Sequence, residues 1–174
     1  MLTKDVIAAI EQRCSVHSFT GEPIPEATVG RLVEAALRAP SAGNLQPWKL
    51  VVVFKDEVKR DLAGACERES FIADAPVNIV VCLEKGKSEQ VYGPEGQVYQ
   101  YQDIGAAIEN MLLAATGYGY GTCWVAAFQE DKVSQILQLG GDLRPVAIVA
   151  VGNTDEKQEP VARRNAEDVV RIIH

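Results

Sequence analysis

The segment "RCSVHSF" contains three residues with chemistry to offer. Arg13, Ser15 and His17 alternate with Cys14 and Val16, and period-two spacing puts all three on one side of an extended chain. Each donates hydrogen bonds; one carries a fixed positive charge and one is titratable. That side suits a phosphate or another electron-rich acceptor, although a solvated strand face explains the same three residues and by themselves they favour it. Arg163 and Arg164 pose a similar choice, between a surface pair and a bidentate clamp on a phosphate. The third feature is "RAPSAGNLQPWKLVVV", residues 38–53. A plain helix-to-strand connection needs roughly 2–6 residues and no particular chemistry. This one sets Ser41, Ala42, Gly43 and Asn44 between two prolines and presents Ser41, Asn44 and Gln46 along its length. It is either a stiff turn or a wall built against a ligand.

Other chemistries find little support. The four cysteines, Cys14, Cys66, Cys82 and Cys123, form no C-x-x-C pair, and there are only two histidines, so neither a metal site nor a dithiol motif is expected. Cys82 lies in an apolar run and reads as a small buried hydrophobe. Cys14 follows Arg13, which favours a thiolate, though a packing or backbone role suits it better. "GYGYG" follows a helix instead of opening one and lacks the form of a phosphate loop. No G-x-G-x-x-G follows a strand, so a Rossmann nicotinamide site is not indicated. Two histidines assemble no specific Ser-His-Asp set, and His174 is terminal.

The elements that must position these residues follow from the hydrophobic pattern. Thr3 can cap a first helix bearing Val6, Ile7 and Ile10 on one face. "GEPIPEATVGRLVEAALRAP" predicts a helix with Pro25 in its first turn and a stripe of Val29, Leu32, Val33, Ala36 and Leu37, stopped by Pro40. "KLVVVF" reads as a strand, "DEVKRDLAGACERE" as a helix with Val58, Leu62 and Cys66 inward, and "APVNIVVCLE" as a buried strand. Residues 84–102 are polar, Gly-containing and without period, which reads as a variable loop or lid. "DIGAAIENMLLAATGYGYG" predicts a deep helix with Ile104, Ala107, Ile108, Met111, Leu112 and Ala115 inward. A strand end "TCWVAAF", a short helix "DKVSQILQL" and a buried strand "RPVAIVAVG" follow. The tail, 152–174, ends in Val169, Val170, Ile172 and Ile173, which need something to bury against. Alternation of helices and strands implies a layered αβα arrangement in one domain, 1–174, without setting strand order or direction.

The whole chain bounds the function. Its 174 residues, 47% hydrophobic and 24% charged, carry a net charge of -7, which suits a globular domain with a real core and argues against nucleic acid as partner. The start, "MLTKDVIAAIEQRC", does not read as a secretory signal, and no apolar run approaches a membrane span, so the cytoplasm is expected.

The combined motifs resemble the FMN-dependent nitroreductase family. They are an R-x-S-x-[RK]-x-F element, a P-[IV]-x helix start, an A-P-S-x-x-N-x-Q-P-W loop, then "DIGAAIENMLLAATGYGYGTCWVAAF", "RPVAIVAVG" and the arginine pair, in order over nearly the whole chain. The resemblance implies an α+β fold, three layers αβα with a central, mostly antiparallel mixed sheet, in a homodimer whose C-terminal tail extends onto the partner subunit. It implies one non-covalent FMN per chain at the interface, with NAD(P)H as transient co-substrate and no catalytic side chain. Arg13, Cys14, Ser15 and His17 take the places that bind the phosphate, ribityl and pyrimidine end. Pro40, Ser41 and Asn44 contact the flavin held mainly by the other subunit, with Gln46 and Trp48 supporting the loop. Trp124, Val125, Ala126 and Ala127 match the strand end whose backbone N–H groups approach the flavin, and Arg163 and Arg164 match the phosphate-clamp region. His17 departs from the family's usual Arg or Lys. The activity implied is hydride transfer from NAD(P)H to an electron-poor acceptor such as a nitroaromatic or quinone, by a ping-pong mechanism. The alternatives are reductive dehalogenation or flavin destruction on the same fold, or a flavin-binding, redox-sensing module without turnover.

Overall fold

The computed structural model describes residues 6–67, 69–156 and 161–173; Thr3 and His174 lie outside the described residues. In chain order the elements are α1 (Val6–Gln12), α2 (Glu26–Leu37), β1 (Trp48–Val53), α3 (Asp56–Gly64), α4 (Phe71–Asp74), β2 (Val77–Glu84), α5 (Glu89–Tyr92), α6 (Gly96–Tyr118), β3 (Gly121–Val125), α7 (Glu130–Ile136) and β4 (Leu143–Gly152). Short 3-10 turns occupy Ala42–Asn44, Gly93–Glu95 and Ala166–Asp168.

The most apolar strands, β2 and β4, take the centre of a four-stranded sheet of order β1-β2-β4-β3. Val77, Ile79, Val81 and Leu83 of β2 face α2 and α6 together with Ala147, Val149 and Val151 of β4. Val80, Cys82, Ile148 and Ala150 face the other way, onto Leu62 of α3, Phe71 and Ile72 of α4 and Val133 of α7. Helices cover both faces, which is why the central strands are near-continuous apolar runs instead of alternating ones. The expected three-layer αβα arrangement is thus present. The sheet itself is not mixed: all three pairings, β1 with β2, β2 with β4 and β3 with β4, are antiparallel. Among the described residues the parallel contribution is one bridge, Ser15 with Thr122. The ladder stops there because the chain peels away: the His17 N–H is taken by Glu156 and the Thr20 N–H by the Asn153 carbonyl. The β2–β4 register slips beside Cys82, which faces Pro145, a residue with no N–H to give the ladder.

Several local expectations are corrected. Pro25 precedes α2 as its N-cap, its carbonyl accepting the Thr28 N–H at 2.8 Å. Val29, Leu32 and Ala36 are buried as the stripe predicts, but Leu37 is exposed at the last turn. α3 ends at Gly64, and Cys66 pairs instead with Phe128 in an isolated antiparallel bridge. The buried cation of α3 was not anticipated. Lys59 donates to the Ala75 carbonyl at 2.7 Å and pairs with Asp56, tying α3 to the end of α4. α1 buries only Ala9, and Val6, Ile7 and Ile10 are exposed.

The largest correction concerns 84–102. It is not a loop: after a turn at 85–88 come α5, the 3-10 turn Gly93–Glu95 and α6, which begins at Gly96 and runs for 23 residues, about 34 Å. Gly96 is what lets the helix start there. It is buried, and a Cβ on it would lie 2.5 Å from the Ser88 carbonyl carbon and oxygen. Ser88 and Gln100 are buried as well. Further along α6, the six apolar residues predicted to face inward are all buried, and Gly119 closes the helix at φ 87°, the left-handed conformation typical of helix C-termini. The tail residues 161–173 are exposed throughout. No described helix is long and apolar enough to cross a membrane.

Candidate functional site

The segment 13–17 lies along the edge of β3. The Val16 N–H donates to the Thr122 carbonyl at 2.9 Å, and Val16 itself is fully buried. Gly121 permits this approach, since a Cβ there would lie 2.8 Å from Val16 Cγ2. With Val16 inward and Cys14 packed against the same core cluster, Ser15 and His17 stand exposed, so period-two spacing holds for that pair, whereas Arg13 is half-buried and its N–H still donates to the Ala9 carbonyl at the end of α1. The Arg13 Nε lies 3.6 Å from Glu109 Oε1 on α6. Burial pushes the Cys14 thiol above its ordinary pKa against the opposing pull of Arg13, and Glu156 adds to the rise. The thiolate suggested by Arg13 is therefore not favoured. Cys82 is the buried hydrophobe expected, its thiol pushed up to about 11 by burial. The His17 backbone N–H donates to Glu156 Oε2 at 2.9 Å, and its ring stands edge-on to Phe71 at 5.4 Å.

The loop between the two prolines is a built object. Gly43, Asn44 and Gln46 have φ of 56°, 57° and 51°, a region non-glycine residues enter at a cost of order 1–3 kcal/mol each when the surroundings demand it. Ser41 Oγ accepts the Gln46 N–H at 3.0 Å, and Gln46 Nε2 donates to both oxygens of Asn44 at 3.2 Å. Trp48 is buried beneath it at the start of β1, and Pro40 and Asn44 are exposed. Outside contacts come from both ends: the Ala42 N–H donates to Asp103 Oδ1 at 3.0 Å, and Lys87 Nζ donates to the Gln46 carbonyl at 3.2 Å. Lys87 is itself paired with Glu84.

At the end of β3, Val125 is buried whereas Trp124 is 42% exposed. Ala126 and Ala127 are exposed, leaving backbone with little side chain over it. Trp124 borders α6 at Gly105, where a Cβ would lie 3.9 Å from the indole Cη2. Arg163 and Arg164 are exposed, and Arg164 closes its own turn by donating to the Asp168 carbonyl at 3.0 Å.

One helix therefore touches every part of the site except the tail. Gly105 and Glu109, four residues apart, share a flank of α6 and address Trp124 and Arg13. Asp103, which holds the 40–46 loop, lies about 160° around the axis from Gly105. The structure thus joins segment 13–17 to the β3 end, and sets the loop on the opposite flank. Asp103, Glu109, Glu156 and Lys87 escaped the sequence reading. Of these only Asp103 left a usable signal, as a carboxylate in register with the buried stripe of Ile104, Ala107 and Met111.

A model of the nitroreductase family matches residues 10–71 and 61–153. The chain belongs to the nitroreductase family. A relative from Thermus thermophilus named NADH dehydrogenase is 31% identical, over 95% of this chain and 95% of its own. The FMN reductase (NADPH) of Bacillus subtilis strain 168 is 23% identical, over 86% of this chain and 66% of its own. Among solved structures, a nitroreductase family protein from Clostridium novyi NT superimposes with a TM-score of 0.78 at 33% identity, covering 85% of this chain and 84% of that one. A nitroreductase-family flavin mononucleotide suits the donor set. The Ser15 hydroxyl and the His17 imidazole stand exposed on either side of buried Val16, and the Arg13 guanidinium is held toward α6 by Glu109, next to a β3 end of small, exposed residues.

Proposed function

We propose that the protein is an FMN-dependent NAD(P)H oxidoreductase, working as a homodimer and reducing electron-poor acceptors such as nitroaromatics or quinones by a ping-pong mechanism. The observation that carries the reading is the split of the flavin-type motifs across the two flanks of α6. One chain offers a donor strip with a strand end on one side and a rigid polar loop on the other, an arrangement completed when a second copy brings its loop to the strip. The exposed apolar residues of α1 and the tail support the same dimer, since Val6, Ile7, Val169, Val170, Ile172 and Ile173 are each at least 58% exposed. Obligate interfaces of this kind bury roughly 2,000–5,000 Å².

When bound, FMN supplies the hydride chemistry itself. The chain's own residues bind and orient. Arg13 neutralises phosphate charge, and Ser15 and His17 donate hydrogen bonds toward the ribityl and pyrimidine end. Ala126 and Ala127 leave backbone N–H groups open to approach. Ser41 and Asn44 present polar atoms from a loop too stiff to collapse into the site. Arg163 and Arg164 add positive charge when the tail crosses to the partner. No side-chain acid or base is needed, and a nicotinamide that binds transiently needs no domain of its own. The short connection from β2 to α6, which holds only α5 and a 3-10 turn, favours this reading over branches that rely on a long lid. The free thiols of the four cysteines suit the cytoplasm.

Initial rates measured with varied NAD(P)H and a quinone test the proposal. Parallel double-reciprocal lines, with FMN as the acid-released flavin, are expected. Intersecting lines with an independently detected ternary complex, or a flavin identified as FAD, would overturn it.

A further inference from the structure

We infer that Asp103 is a positioning residue for the cofactor loop, its carboxylate fixing the place from which Ser41 and Asn44 are presented. The inference rests on reading 40–46 as the flavin-facing loop. Bonds inside that loop, from Gln46 to Ser41 and Asn44, set its shape and move with it. They cannot set where it sits. Among the described residues two outside hydrogen bonds do that, beside the Tyr92 hydroxyl packed against Gly43. Lys87 reaches the Gln46 carbonyl from a turn, through a long side chain that is itself 40% exposed. Asp103 reaches the Ala42 N–H from within α6, through a short side chain only 7% exposed as a residue. The more rigid of the two hydrogen bonds is therefore the one from Asp103.

The carboxylate is poorly explained by stability. Its Oδ2 is buried and has no hydrogen-bond partner among the described residues, a condition that native cores avoid. An apolar residue at 103 would continue the buried stripe of Ile104 and Ala107 and remove that penalty. A carboxylate kept in the core with one bond, to the backbone of a loop held at three positive φ angles, fits a residue retained for what the bond positions.

Three variants test this. Asp103→Asn keeps an acceptor oxygen for the Ala42 N–H, and Asp103→Ala removes it. Ala42→Pro deletes the donor from the other end and leaves α6 untouched. The position tolerates proline, because Ala42 opens a 3-10 turn and Ser41 is extended at φ -145° and ψ 151°. FMN affinity is read from quenching of flavin fluorescence by the flavin-free protein. Backbone hydrogen exchange over residues 43–46 is read in the same protein without flavin. Asp103→Asn should bind FMN within about threefold of the parent, and Asp103→Ala about tenfold or more weakly, in line with a charge-assisted bond. Ala42→Pro should match Asp103→Ala, and the double variant should be no weaker than either. Exchange over 43–46 should quicken in Asp103→Ala and not in Asp103→Asn. Parental affinity in Asp103→Ala, equal weakness in Asp103→Asn, or effects that multiply in the double variant would each overturn the assignment. If Asp103→Ala fails to fold, Ala42→Pro carries the test, and parental affinity there would also overturn it. A parent that takes up no FMN would refute the proposed function instead, while the exchange data would still decide what Asp103 holds.

Discussion

His17 is where this chain's donor strip differs from its family pattern, and the difference has a measurable consequence. Arginine at that place offers a fixed charge to the pyrimidine edge of a flavin, where negative charge accumulates on reduction. A charge-assisted hydrogen bond contributes about 1.5–3 kcal/mol against about 1 for a neutral one. About 1.4 kcal/mol placed on the reduced state alone raises a two-electron potential by about 30 mV. His17→Arg should therefore raise the FMN midpoint potential at pH 7.5 by tens of millivolts. Dye-equilibration potentials check this; normal FMN binding with no shift in potential would remove His17 from the pyrimidine edge. A second residue-scale prediction concerns Arg144, which holds Glu130 through bonds of 2.9 and 2.7 Å and also reaches the Tyr101 hydroxyl. The hydrogen bond from Arg144 lowers the Glu130 pKa from its ordinary 4.5, against a smaller effect of burial. A carboxylate depressed in the folded state stabilises above its unfolded pKa, and that stability is lost as pH falls through the folded value. Both side chains are nearly half exposed, so the pair is worth less than about 1 kcal/mol. Arg144→Ala should cost no more than that in urea unfolding at pH 7, and the difference from the parent should shrink as pH falls below 4.5 and Glu130 becomes protonated in the folded state.

At the scale of elements, α6 organises the site, and the way it begins can be tested. Gly96 adopts ordinary helical angles, φ -56° and ψ -27°, so its requirement is for space and not for conformation. The Cβ of Gly96→Ala would meet Ser88 backbone at 2.5 Å and the Glu89 nitrogen at 2.7 Å. Backbone cannot swing aside as a side chain does, and the 88–92 turn must move. A cost of about 1–3 kcal/mol is expected, seen as a lower urea midpoint with an unchanged slope. A midpoint equal to the parent's would show that the turn repacks freely.

At the scale of the molecule, the proposed dimer rests on the exposed apolar residues of α1 and the tail. A chain ending at residue 160 should keep its sheet and helices by circular dichroism, because neither core cluster includes a residue of 161–173. It should sediment as a monomer or a weak dimer and lose most of its FMN affinity. A truncated chain that remains a tight dimer with parental affinity would mean that the tail serves neither interface nor phosphate.

What could be read from the chain alone, and what could not, divides along a physical line. Local rules sufficed where each residue answers to its neighbours. Period-two spacing sets Ser15 and His17 on one side of buried Val16, period 3.6 sets the buried stripe of α6, and the small residues between prolines mark the loop. The family motifs extended this to fold and cofactor because they are themselves local strings in a set order. Long-range contacts decided the rest. The purely antiparallel sheet depends on which strands meet, and the bridge at Thr122 ends where Glu156, 139 positions away, takes the His17 N–H. The helical start at Gly96 depends on Ser88 backbone filling the space of a missing side chain, which looks in the sequence like one more loop glycine. The spacing of the α6 stripe says nothing of the Ala42 N–H, 61 residues away, that ends on Asp103. Residue type and spacing record what a side chain can do, whereas its partner is set by how distant segments pack, and only the tertiary structure decides that.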